Sequence, residues 1–241
     1  MSYTNSGFSA QQDYFGFNGP AYANGAAPCV GSDAGHTRQT AEAEDAHGDI
    51  AAREVYGEAY APSATYKVKA DIAAAKWPAL GTVVPAPGGG VGAPVMISEI
   101  EVTTGAGIEP QVKISGVGIE AGATTGRTFP LAAIGALSKL CMAQLLGSCC
   151  TVGGGNVTGC TLTARCEAHP VEVGGTAVAS DCWGGRMEAR VSISSPDGTA
   201  PAVTPGSGWD LTAPPTRGDS DGGFQSWECA LAKTIAATEA S

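Results

Sequence analysis

Apolar positions recur with a period of two over most of the chain. Ala64–Ile72 sets Tyr66, Val68, Ala70 and Ile72 on one face and Thr65, Lys67, Lys69 and Asp71 on the other. That is the pattern of a half-buried strand. Val95–Thr104 alternates in the same way, with Met96, Ser98, Ile100 and Val102 against Ile97, Glu99, Glu101 and Thr103. After a turn over Gly105–Pro110, the return strand Gln111–Val117 directs Val112, Ile114 and Gly116 inward. Leu80–Val84 reads as a short strand and Pro85–Pro94 as a flexible loop. One segment changes period. In Phe129–Leu146, Leu131, Ile134, Leu137, Leu140 and Leu145 recur at three and four, which predicts an amphipathic helix. Pro130 suits its first turn and Gly147 its C-terminal stop.

Thr37–Tyr56 carries Ala and Glu that favour helix. His47-Gly48-Asp49 interrupts it, and the flanks Thr40–Asp45 and Ile50–Tyr56 read as a hairpin. Beyond the helix the pattern repeats. Val157–Ala168 and Thr176–Trp183 form a hairpin-like pair, and Met187–Ser194 alternates as Ala64–Ile72 does. Gly208–Ala213, a turn rich in Pro, Gly and Asp, and Phe224–Ile235 then close the half. This is consistent with an internal duplication of a small antiparallel sheet, about residues 37–119 and 157–236, joined by the helix 129–146. The expected fold is mainly β. It is an antiparallel β-sandwich or flattened barrel with one flanking α-helix, in one domain over 37–241. Residues 1–36 read as a flexible or partner-docking arm.

Composition narrows the class. Gly 35 and Pro 15 make up about a fifth of the 241 residues, above the usual background. Hydrophobic residues are 43 %, too many for a wholly disordered chain. Lys+Arg 13 against Asp+Glu 23 gives a net charge of −10, which argues against a general phosphate-neutralising surface. Met1–Pro20 has neither the basic nor the apolar region of a signal peptide. Phe129–Leu146 is too short and polar for a membrane span.

The residues offer little catalytic pattern. No G-x-S-x-G elbow precedes a helix. His36 and His47 sit in tail and turn. Cys160, Cys166 and His169 superficially resemble zinc ligands, but on one strand the two cysteines would stand about 20 Å apart. No metal and no cofactor is expected, and the chain is read as a non-enzyme. The eight cysteines are Cys29, Cys141, Cys149, Cys150, Cys160, Cys166, Cys182 and Cys229. Buried reduced thiols are the default without an export signal, with oxidation after release as the alternative. A carbohydrate-binding module would need an aromatic platform, for which Trp77, Trp183, Trp209 and Trp227 are the candidates.

The run Val95–Gly118 (VMISEIEVTTGAGIEPQVKISGVG) and the later MEARVSISS, GSGWDLTA and WECALAKTI resemble subunits of phage-tail-type tubes. The resemblance is one of pattern and covers about residues 37–236. It implies a virion structural subunit that assembles with copies of itself, in rings or a helical array, into a channel for DNA passage. Other virion proteins are the further partners, with no specific nucleic-acid binding and no membrane. Assembly would take place in the host cytoplasm and the product would be a virion or extracellular particle. Glu99, Glu101 and Thr103 would then face the lumen, where carboxylates repel phosphates. Phe8, Tyr14, Phe15, Phe17 and Tyr22 would dock on a neighbouring subunit. A capsid-decorating or extracellular filament-forming subunit is one alternative, and a carbohydrate-binding module or enzyme is another.

Overall fold

The structure, a computed structural model, describes residues 29–44, 50–67, 79–84, 95–118, 127–131, 142–173, 176–221 and 224–239. In chain order its elements are β1 (Cys29–Glu44), β2 (Ile50–Lys67), β3 (Val83–Val84), β4 (Val95–Gly105), β5 (Ile108–Gly118) and β6 (Arg127–Thr128). The helix α1 (Met142–Cys149) follows, then β7 (Cys150–Gly153), β8 (Asn156–Val173), β9 (Thr176–Ser195) and β10 (Ala202–Pro205). β11 (Asp210–Asp221), β12 (Phe224–Thr234) and β13 (Thr238–Glu239) complete the described chain. The fold is mainly β, and α1 is the one helix among the described residues.

One nine-stranded sheet dominates, in the order β1-β2-β5-β4-β8-β9-β12-β11, with β3 paired beside β4. All its pairings are antiparallel. The sheet is open and does not close into a barrel. The order contains a repeat. β1-β2-β5-β4 is a hairpin beside which a second hairpin lies with its later strand inward, and β8-β9-β12-β11 is the same arrangement. The two halves of the sheet therefore share one strand order. They meet edge to edge, through a seam in which Glu99–Gly105 pairs with Arg165–Gly159.

Register follows the apolar alternation. Ile100, Val102 and Thr104 face the core on β4, opposite Ala164, Leu162 and Cys160 on β8. These in turn oppose Met187, Ala189 and Val191 on β9, and the row ends in Leu231 and Cys229 on β12. A one-residue slip would turn every one of these side chains to the other face. The core side of the sheet is covered by α1, through Leu145 and Cys149, and by the small sheet of β7 and β10, through Cys150, Val152 and Val203. Leu80 and Phe129 close one end, joined by an isolated bridge. Gly185 is needed here because a Cβ at that position would enter the Phe129 ring.

Several boundaries differ from the sequence reading. β1 begins at Cys29, inside the segment expected as an arm, because the hairpin partner β2 is long enough to pair with it as far as Tyr66. The expected strand Ala64–Ile72 continues β2 only to Lys67, and 68–72 lie outside the described residues. The turn after β4 is Ala106-Gly107 alone, since Gly107 takes a φ of 73° that permits a two-residue reversal. The helix is displaced. Phe129 pairs with Leu80 in extended form, 132–141 lie outside the described residues, and α1 runs through Gly147 to Cys149. Gly147 is exposed and its missing side chain meets nothing, so it does not stop the helix. The pieces Thr176–Trp183 and Met187–Ser194 are one strand, β9, bulged at the pair of glycines between them.

Two hairpins outrun the sheet. β2 pairs with β5 only over Ser63–Lys67, so the rest of β1 and β2 have only each other as strand partners among the described residues. From Ser63 to Ile50 this hairpin extends about 40 Å. The second is the far part of β8 and β9, beyond Arg165 and Arg186, where neither β4 nor β12 follows. A disulfide between Cys166 and Cys182 crosses its foot, with a Cα–Cα distance of 5.8 Å. This corrects the expectation of reduced thiols throughout. The bulge of β9 at Gly184 and Gly185 lies beside this bond.

Candidate functional site

The sheet face opposite the core is polar, and it holds the three residues singled out as channel-facing. Glu99, Glu101 and Thr103 alternate with the core residues of β4 and share this face. Glu101 lies opposite Lys113 on β5, and Glu99 opposite Arg165 on β8. Arg165 and Arg186 both pair with Glu188, the latter with Nε 3.4 Å from Oε1. From β5 to β12 this face sets Glu99, Glu101, Glu188 and Glu228 against Lys113, Arg165, Arg186 and Arg190. Glu109 on β5 shares this face, 3.9 Å from Lys67 on β2, so the face mixes both signs without an excess of cations. The carboxylates noticed in the sequence are thus part of a mixed ladder whose cations come from the next strand, β5, and from β8 and β9. Exposed pairs of this kind contribute little stability, up to about 1 kcal/mol each.

Toward one end of the face an open groove of about 490 Å³ crosses the strands. Thr103, Thr161, Arg190, Ser192, Thr216 and Glu228 line it, with Ile108 and Pro214 at its sides. Ile108, at the tip of the β4–β5 hairpin, is 59 % exposed. The groove offers hydroxyls and one charge of each sign, a lining suited to extended polar contact.

The two outer edges of the sheet differ. β11 carries Pro214 and Pro215, and its register with β12 shifts three times. Proline and bulges blunt an edge against further pairing. β1 has no proline and leaves one side of a 16-residue strand without a strand partner among the described residues.

The arm candidates Phe8, Tyr14, Phe15, Phe17 and Tyr22, and Trp77 with them, lie outside the described residues. Of the other tryptophans, Trp209 is buried and Trp227 half-buried against the core. Trp183 is half-exposed, but the Arg127 guanidinium lies 3.7 Å from its ring centroid and covers one face. His169 is exposed on the second hairpin, 3.8 Å from Glu167, and Cys166 is committed to its disulfide.

Four thiols gather on the core side. Cys149 ends α1, Cys150 begins β7, and Cys160 and Cys229 flank Val191 on β8 and β12. All are buried. The hydrogen bond with Cys150 lowers the Cys149 pKa, but the influence of Cys160 and burial outweigh this and carry it to about 12. Burial, with Cys150 nearby, pushes Cys229 to about 11. The hydrogen bond with Cys149 and burial also raise Cys150. Each raised value means that the unfolded chain loses its thiol proton first. Their stabilising contribution is complete below the ordinary thiol value of 9.0 and is lost as pH rises toward the folded value. Under reducing conditions, stability should therefore fall from about pH 9 to pH 12 by on the order of 1 kcal/mol per pH unit. Chemical denaturation across that range checks this, and Cys149→Ala should flatten the decline. An equal slope in the variant would show that other groups cause it.

These features define a mainly-β protein made of two like halves, with an outer face of mixed charge and one unblunted edge. No known family model matches the chain, and comparison with curated proteins finds no match.

Proposed function

We propose that this chain is a structural subunit that assembles with copies of itself, in the manner of a phage tail tube or a similar tube. The observation that carries the reading is the long β1 edge, which has strand-pairing groups along one side and no proline to blunt it. The β1–β2 hairpin adds reach, since it extends past the sheet that anchors it. A second copy that pairs along β1 would satisfy that edge and continue the sheet.

The outer face sharpens the picture of a channel. A lining in which carboxylates and cations are interspersed neither holds DNA phosphates strongly nor repels them strongly. The net charge of −10 is then drawn from other parts of the chain. In this reading DNA passes along a neutral, hydrated surface of hydroxyls and paired charges, with Glu99, Glu101 and Thr103 among its components.

Size-exclusion chromatography and negative-stain imaging of the full chain test this, beside a version with 31–62 replaced by a short glycine linker. The full chain should form stacked rings or tubes with an axial channel. The shortened chain should elute as a monomer and still melt cooperatively, its far-ultraviolet circular dichroism reduced only by the strand residues removed. Discrete small oligomers would favour a decorating subunit over a tube. A full chain that remains monomeric at high concentration overturns the reading.

A further inference from the structure

The large sheet ends in two edges, β1 and β11, and their irregularities differ in kind. At each of the three register shifts between β11 and β12 the extra residue lies on β11. Thr212 is the first, and the others fall within Pro214–Pro215 and Gly218–Asp219. Each extra residue bends the strand, and the two prolines remove two N–H donors, so a partner strand cannot follow β11 for long. β1 has shifts too, but beyond Gly31 they fall on its partner. Between Thr37 and Gln39, and again between Ala43 and Glu44, the extra residue lies on β2. The extra residue that β1 itself carries is Val30, at its start. From Gly31 to Glu44 the strand is therefore regular, with no proline and with a backbone donor and acceptor at every residue. Among the described residues, one edge is fit for pairing and the other is not.

We propose that β1 pairs with β1 of a second copy of this chain, antiparallel, across a two-fold axis normal to the sheet. This joint presupposes the self-assembly proposed above and gives it a geometry. A head-to-tail joint would need β1 of one copy to lie along β11 of the next, which is unfit. An isologous joint uses the same edge twice. An axis normal to the sheet runs the two β1 strands in opposite directions, as in every other pairing of this sheet. It also keeps the polar faces of both copies on one side. Full overlap of Gly31–Glu44 with itself sets the axis between Thr37 and Arg38. The overhanging hairpins then supply what each lacks. A two-stranded hairpin is marginal in water, and the joint makes a ribbon of four strands, β2 and β1 of one copy beside β1 and β2 of the other. The joined sheet ends in β11 on both sides, so edge pairing stops at two copies. Rings or tubes are built from such pairs through other surfaces.

The test uses the full chain with Thr37→p-acetylphenylalanine, spin-labelled through its ketone so that the native cysteines are untouched. Opposed residues of an antiparallel pair lie about 5 Å apart, so two labels beside the axis should stand within about 25 Å in frozen solution. Head-to-tail joining would separate them by the width of a sheet, roughly 40 Å over the strands in line. Beyond the monomer, native mass spectrometry should find assemblies with even numbers of copies. Thr212→Pro, on β11, should leave those masses unchanged. A separation near 40 Å, odd-numbered assemblies, or a folded Thr212→Pro chain that falls to monomers would each overturn the two-fold joint while self-assembly stands. A wild-type chain that stays monomeric overturns both. Should the label at 37 or the proline at 212 disturb folding by circular dichroism, Gln39→p-acetylphenylalanine and the wild-type masses decide.

Discussion

Replacing Cys166 and Cys182 together by serine should cost about 3 kcal/mol of stability and lower the melting temperature by roughly 6–12 °C. The two cysteines are 16 residues apart, and their bond removes from the unfolded chain the freedom of the loop between them. The location makes the loss local. Beyond Cys166 and Cys182 the hairpin of β8 and β9 has no third strand beside it among the described residues. Below them β9 is paired on both sides, with β8 and with β12. Amide hydrogen exchange should therefore accelerate over 167–181 and stay slow over 187–193. Unchanged exchange and an unchanged melting temperature would show that the bond does not hold the hairpin. Acceleration throughout the sheet would show that the hairpin is not a separate unit.

Leu162→Ala is expected to destabilise the protein by about 2–5 kcal/mol. Leu162 is fully buried, with Val102 opposite on β4 and Ala189 opposite on β9. One of its neighbours is already small, and the side chains around it are fixed by strand register, so the cavity cannot easily collapse. Thr161, the next residue, faces the opposite side of the sheet, and Thr161→Ala should change stability by only about 0.5 kcal/mol. Urea denaturation of both variants makes the comparison. Equal effects would mean that the register through the seam is shifted by one residue.

The alternation of apolar residues made much of this fold legible. Met96 to Val102, Val112 and Ile114, and Met187 to Ile193 are strands, and their inward residues are core. What the alternation did not carry is how the halves meet. Period two says which face a residue takes and nothing about which strand lies beside it, so the β4–β8 seam had no local signal. The helix boundary failed for a related reason. The expected helix began at Phe129, but the contact of Phe129 with Leu80 and Gly185 uses that residue in extended form. The Cys166–Cys182 bond left a partial signal, two cysteines near the foot of an expected hairpin, which the absence of an export pattern outweighed. At the outer face, Glu99 and Glu101 were visible as a pair. The cations opposite them, Arg165 and Lys113, were not, since cross-strand neighbours are set by pairing.

The seam also fixes an order of events in folding. Most ladders of the sheet join segments adjacent in the chain, and such hairpins close within microseconds. Glu99–Gly105 and Gly159–Arg165 are separated by roughly 60 residues, and the entropy of closing so long a loop precedes any reward from the contacts that close it. The hairpins of each half therefore form early, and the chain commits to its native structure when these two edges find each other. Leu162→Ala, which weakens that meeting, should slow refolding in stopped-flow experiments as well as hasten unfolding. An unaltered refolding rate would place the commitment elsewhere.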